Sequence, residues 1–245
     1  MTPAPCLGIL LPDDGPDDYE WYTLGTTRPD AERLPRLEIG RIPSDGHHTP
    51  AALLALGAPE RLAPAGTALV AEGAQAVVWA CTSASFVGGL DWARQQAAAL
   101  QAALGVPVTS TALAFLEALE ALGRDHVDLL SPYPDDVTLR LVNFLREGGV
   151  TVRHAKALDC PYAADSHQAD LLAEIRRFRD RHPDPSMPLL VPDTAVDTLG
   201  RLAAVGREAG SVVLTANQVS LWAGLKRLGW PACPPTLLGD LAAAR

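Results

Sequence analysis

Val108-Thr-Ser-Thr-Ala-Leu-Ala-Phe-Leu-Glu-Ala-Leu-Glu-Ala-Leu-Gly123 can be laid over Leu214-Thr-Ala-Asn-Gln-Val-Ser-Leu-Trp-Ala-Gly-Leu-Lys-Arg-Leu-Gly229. Thr109/Thr215, Leu119/Leu225, Leu122/Leu228 and Gly123/Gly229 coincide. Each copy reads as a short apolar strand, a polar turn, an amphipathic helix and a closing glycine. Outward from this repeat, further short apolar runs predict strands over 7–11, 37–42, 76–80, 106–109, 127–131, 150–153, 189–191 and 211–215. They are continuous rather than alternating, the pattern of strands covered on both faces in a parallel sheet. Between them, helical periodicity predicts helices over 51–72, 90–104, 112–122, 137–147, 165–182, 194–208 and 219–228. Strand–helix alternation points to an α/β fold. The repeat makes it two pseudo-symmetric, doubly wound lobes with parallel sheets and an active-site cleft between them. The expected division is an N-terminal lobe over 1–110, completed by 215–245, and a C-terminal lobe over 111–214.

The 245 residues are 48% hydrophobic and 20% charged, enough apolar chain for a buried core and too little charge for a disordered one. The net charge of −9 argues against nucleic acid as a partner, because phosphate binding needs a basic surface. A local pocket can still take a small anion. No apolar run approaches the ~20 residues that span a bilayer, so no membrane partner is expected. Met1-Thr-Pro-Ala-Pro-Cys6 lacks a basic stretch ahead of an apolar one, and a cytoplasmic location is expected. Cys6, Cys81, Cys160 and Cys233 are scattered without zinc-like spacing, as suits reduced thiols. A homodimer is the candidate assembly only on general grounds.

Four strand ends carry polar residues, and ligands of open α/β sheets bind at such ends. Ala76-Val-Val-Trp-Ala-Cys81-Thr82-Ser83-Ala84-Ser85 runs a strand into a thiol and two hydroxyls. Free backbone N–H groups there suit a carboxylate and favour the thiolate; a buried structural cysteine beside a helix cap is the plain alternative. Ser131-Pro132-Tyr133-Pro134-Asp135-Asp136 places a phenol at the second end, either a donor to an anion or a packed loop residue. At the third, Pro192-Asp193-Thr194, Asp193 is either a helix N-cap or a carboxyl facing Cys81. Asn217, Gln218 and the following helix form a fourth polar strand end. The acids Asp13, Asp14, Asp17 and Asp18 read as a solvated turn rather than a cation site. No histidine pattern suggests a metal, and no glycine-rich phosphate loop is present.

These segments together resemble the Asp/Glu racemase superfamily, in the branch of maleate cis–trans isomerase and arylmalonate decarboxylase. The resemblance rests on Cys81-Thr82-Ser83-Ala84-Ser85-Phe86, on Ser131-Pro132-Tyr133-Pro134-Asp135-Asp136-Val137 and on Leu214-Thr-Ala-Asn217-Gln218, in order from about residue 7 to 230. It implies a cofactor- and metal-independent enzyme acting on a small carboxylic or dicarboxylic acid at the carbon next to a carboxylate. It implies that Cys81 is one catalytic group, and that Thr82, Ser83 and Tyr133 hold the substrate carboxylate. Thr194 and Asn217, polar residues beside strand ends, are further substrate-binding candidates. The second catalytic cysteine of isomerases and racemases corresponds to Asp193 here, so Asp193 becomes the second catalytic candidate. Where maleate isomerases carry a Pro-Ser-Ser-Asn loop that binds carboxylate, this chain has Pro12-Asp13-Asp14-Gly15. Acids facing the pocket would repel a dianion.

The expected activity is therefore isomerisation resembling that of maleate isomerase, with the Cys81 thiolate as nucleophile or proton shuttle. A malonate-type decarboxylase and an amino-acid racemase are alternatives within the superfamily. A carboxylate-binding protein without turnover is the alternative of another class.

Overall fold

The computed structural model describes residues 5–14, 19–24, 34–231 and 234–244. Strands β1 (Cys6–Asp13), β2 (Arg36–Pro43), β3 (Ala76–Trp79) and β4 (Val108–Ser110) form one parallel sheet in the order β2-β1-β3-β4. Strands β5 (His126–Ser131), β6 (Thr151–Ala157), β7 (Leu189–Val191) and β8 (Val213–Thr215) form a second, in the order β6-β5-β7-β8. The second order is the first displaced by four strands, which is the pseudo-symmetry the repeat predicts. All eight strands fall where the apolar runs place them. β3 and β7 are buried throughout, which is why their sequences do not alternate.

Twelve helices are described: α1 (Tyr19–Thr23), α2 (Pro50–Leu56), α3 (Pro59–Ala71), α4 (Ser83–Phe86), α5 (Leu90–Leu104), α6 (Thr111–Ala121), α7 (Asp135–Glu147), α8 (Ala163–Gln168), α9 (Leu171–Arg181), α10 (Leu202–Ala209), α11 (Ala216–Leu228) and α12 (Pro235–Leu238). The two copies of the repeat are β4–α6 and β8–α11. Helices α6 and α11 pack on each other, and α11 also reaches β1 and β3 of the first sheet. At their seam the Thr111 and Ser220 hydroxyls are hydrogen-bonded at 2.7 Å. Gly123 (φ +64°) and Gly229 (φ +66°) both take the left-handed conformation that ends a helix, so the coincidence of these two glycines has a backbone cause.

Four helices differ from expectation. The helix predicted over 51–72 is two, because Pro59 brings no N–H and opens α3 afresh. Gly57 sits at the break, where a Cβ would stand 2.3 Å from the Ala84 carbonyl oxygen. Its own carbonyl accepts from Gln96 Nε2 at 2.6 Å. The helix over 165–182 is also two, with the Asp170 side chain capping α9 through the Ala173 N–H. The helix over 194–208 shrinks to α10 after a single 3₁₀ turn at Leu199–Arg201, leaving 192–198 irregular. Helix α11 begins at Ala216 rather than 219, because Thr215 and Gln218 close a capping box. The acids Asp17 and Asp18, with Gly15 and Cys233, lie outside the described residues.

Candidate active site

Two strand ends, one from each sheet, meet at a small pocket. From β3 the chain leaves the sheet through Ala80 into Cys81, Thr82 and α4. From β7 it leaves through Pro192 into Asp193 and the irregular segment that follows. The Asp193 backbone N–H donates to Thr82 Oγ1 at 3.2 Å. The cavity has a volume of about 20 Å³, and its wall carries Asp14, His48, Cys81, Ser83, Asp193 and Thr194, with Leu53 and Leu56 on the apolar side. That is room for about one water. A larger groove lined by Leu90, Arg94, Leu116 and Glu117 lies away from these strand ends and its wall holds no cysteine or histidine.

Cys81 is 5% exposed. Burial pushes its thiol well above the ordinary value, and the Asp14 and Asp193 carboxylates push it further. The Ala84 N–H and the Ser83 hydroxyl, whose Oγ lies 3.8 Å from the sulphur, offset only part of this. The thiolate expected from the strand-end N–H groups is thus not the resting form; burial and two carboxylates outweigh those donors. Cys81 rests as a thiol.

Asp193 caps no helix. Its φ of +86° lies in the region where Asp is among the few tolerated side chains. One carboxylate oxygen, Oδ1, accepts from the Ala195 N–H at 3.1 Å, which holds the turn. The other, Oδ2, has no hydrogen-bond partner although the residue is 6% exposed. A buried carboxylate oxygen left open in this way is costly unless something else occupies it.

Tyr133 is fully buried beside the pocket, and its Oη also makes no hydrogen bond. Burial raises its phenol well above the usual value, and the Asp193 and Cys81 charges add to that; the nearby Thr82 and Ser83 hydroxyls offset a little. It remains a neutral donor with a proton to give. Its ring stands edge-on to His48 with centroids 4.9 Å apart.

Of the residues singled out from sequence, the structure brings Cys81, Thr82, Ser83, Tyr133, Asp193 and Thr194 together. Asn217 lies outside the pocket wall. Its Nδ2 donates to Glu20 Oε2 at 2.8 Å and to the Thr194 carbonyl at 3.1 Å. Asn217 is inside α11 and fastens the 194–196 segment from behind. Asp14, read as part of a solvated turn, lines the pocket and accepts from the Ser44 hydroxyl at 2.9 Å. In the sequence His48 counts only among the six histidines without metal-like spacing, and it carries no site role there. It arrives on the β2–α2 connection, where its backbone N–H donates to the Pro161 carbonyl at 2.8 Å. Nothing local announces that contact across 113 residues. Among the described residues no group of three or more His, Cys, Asp or Glu is arranged to hold a metal ion, and no helix is long and apolar enough to cross a membrane.

Comparison with known proteins agrees with this geometry. The maleate isomerase of Pseudomonas putida is 29% identical over 157 residues, 61% of this chain and 62% of that protein, so the match spans less than two thirds of the isomerase. The arylmalonate decarboxylase of Bordetella bronchiseptica is 28% identical over 161 residues, 64% of this chain and 67% of that protein. The crystal structure of a liganded arylmalonate decarboxylase double mutant, with one glycine changed to cysteine and one cysteine to serine, superposes with a TM-score of 0.82. It is 26% identical and covers 98% of this chain and 99% of its own. The family model described as arylmalonate decarboxylase matches residues 57–237, and with both strand ends and the pocket inside or beside that span, the chain belongs to the arylmalonate decarboxylase family.

Proposed function

We propose that this protein is an isomerase working without a cofactor at the carbon next to a carboxylate in a small unsaturated acid, with Cys81 as the reacting group. The observation that carries the reading is a buried thiol and an unpartnered carboxylate oxygen that line the same small pocket. Relatives that act as a maleate isomerase and an arylmalonate decarboxylase support chemistry of this class. The substrate carboxylate sits against the Thr82, Ser83 and Tyr133 hydroxyls. Those donors stabilise the enediolate that forms when the Cys81 sulphur adds to the adjacent double bond. Rotation about the resulting single bond and loss of the sulphur give the other geometric isomer.

Among the described residues, the pocket wall holds no Arg or Lys and does hold Asp14. The favoured substrate therefore carries one carboxylate, and its other end is neutral or a hydrogen-bond donor. A second reading, malonate-type decarboxylation, is favoured by one observation: a resting thiol is a ready acid for protonating an enediolate.

Proton NMR in D₂O with maleate, maleamate-type half-amides, substituted malonates, aspartate and glutamate tests both. Cis-to-trans conversion that disappears in Cys81→Ala is the expected result. Loss of carbon dioxide with deuterium at the α-carbon would transfer the assignment to the decarboxylase. Deuterium exchange without net change would indicate a racemase. Absence of any turnover would leave a binding protein.

A further inference from the structure

His48 is the one buried histidine among the described residues, 5% exposed, and no step above uses it. Its Nδ1 lies 2.9 Å from the Cys160 carbonyl oxygen. A carbonyl only accepts, so Nδ1 carries a hydrogen and Nε2 is the nitrogen that gains and loses a proton. Nε2 faces Asp193 Oδ2 at 3.8 Å, and Oδ2 is the oxygen that lacks a partner. An unprotonated Nε2 and a carboxylate oxygen this close in a buried pocket repel, and a proton held between them removes the repulsion. His48, Asp193 and Cys81 line the same pocket.

We propose that His48 and Asp193 form a single acid–base pair that takes the proton from Cys81 and returns it. The proposal deepens the isomerase reading and rests on it for the substrate step alone. In that step the S–C bond forms, the alkene π pair moves into the substrate carboxylate as the enediolate, and the thiol proton passes to the pair. When the S–C bond breaks, the π bond re-forms and the proton returns to sulphur. No oxidant, reductant or solvent proton is consumed. The pair does the work that a resting thiol needs done, since the sulphur becomes a nucleophile only once its proton has left.

The groups that face the imidazole are Asp193 from the segment after β7, Asp14 from the end of β1, Cys81 ahead of α4, and Tyr133 after β5. Cys160 supplies only its carbonyl. His47 also lines the pocket; its ring packs tilted against Tyr162 and it pairs with Asp45.

The test is alkylation of Cys81 by iodoacetamide between pH 5.5 and 9, followed by peptide mass spectrometry, in wild type, His48→Gln, Asp193→Asn and the double variant. Asn tolerates a positive φ, so Asp193→Asn preserves the backbone. The expected result is alkylation about tenfold or more slower at pH 7 in each single variant, within the range general-base help supplies. The double variant should be no slower than the worse single one, because the two residues act as a unit. The proposal is overturned if Asp193→Asn alkylates as fast as wild type or faster. Faster alkylation is the sign that removing a negative charge beside the sulphur would give by itself. Should Asp193→Asn not fold, nitrogen-15 imidazole spectra of wild type decide. His48 must change protonation over the pH range in which Cys81 reactivity changes, and a His48 that does not overturns the pair. Alkylation requires no substrate, so a protein that turns over no acid would fail the isomerase reading while still testing the pair.

Discussion

The Asp193 backbone N–H and the Thr82 hydroxyl are joined at 3.2 Å across the gap between the two sheets. Each belongs to a loop that leaves the end of a strand, β7 in one case and β3 in the other. The bond therefore sets the distance between the two halves of the pocket. Thr82 is 1% exposed, so water does not replace it readily.

Thr82→Val keeps the shape and removes the acceptor. The buried Asp193 N–H is then unpaired, at a cost of about 1–3 kcal/mol. Thermal unfolding should show a fall of a few degrees per kcal/mol for a chain of this size. Thr82→Ser should restore most of both stability and turnover. Equal loss in Val and Ser variants would show that the hydroxyl is not the linking group.

Tyr133→Phe separates folding from function. The phenol has no hydrogen bond in the free protein, so removing it should leave the melting temperature unchanged or slightly higher. If the phenol holds the substrate carboxylate, kcat/KM falls by about 10- to 100-fold, the worth of a hydrogen bond to a charged group. A drop in stability with unchanged kinetics would reverse the assignment.

The Cys81 thiol is raised above its ordinary value in the folded protein, and this has a definite sign for stability. Below the ordinary thiol range both folded and unfolded chains hold the proton, and the shift contributes nothing. As pH climbs through and above that range, the unfolded chain releases the proton first, so the folded state loses ground. Each unit of pH then costs up to about 1.4 kcal/mol per such thiol. Urea unfolding from pH 7 to 10.5 should show wild type weakening more steeply than Cys81→Ala. Parallel curves for the two proteins would mean that the thiol is not raised.

Asp14→Asn removes one of the carboxylates acting on Cys81 and makes the pocket less hostile to a second negative charge. Two effects should appear together. The alkylation profile of Cys81 should move to lower pH, and KM for a dicarboxylate such as maleate should fall relative to that for its half-amide. Salt titration of KM provides the check on charge, since a buried effect is screened little. An unchanged ratio of the two KM values would show that Asp14 does not face the substrate.

Much of this architecture was legible in the chain because burial on both faces leaves continuous apolar strands, and β1 and β3 are of that kind. Cys81, Ser83 and Asp193 were legible because parallel sheets deliver chemistry at strand ends. The helix breaks were less so: Gly57 and Pro59 separate α2 from α3, and the need for that break lies in the Ala84 carbonyl pressed against Gly57. Asn217 looked like a strand-end group because the reading started α11 three residues too late. His48 could not be read at all. Its place depends on the backbone pairing of residue 48 with residue 161, and the only local hint is a histidine just before the Thr49-Pro50 helix start.

The outer strands of the two sheets carry one more consequence. β2 presents Arg36 and Arg41, exposed, with Glu38 between them, and β6 presents Arg153, His154 and Lys156. An open strand edge invites another chain to add on through its backbone, and charged side chains along that edge discourage it. The opposite edges, β4 and β8, are three residues long and buried. Among the described residues, the same doubling that creates the pocket also doubles the number of sheet edges, and each lobe lines its longer one with charged side chains. Replacing Arg153 and Lys156 with Val or Thr should leave the pocket untouched and raise aggregation above wild type, as light scattering on storage would show.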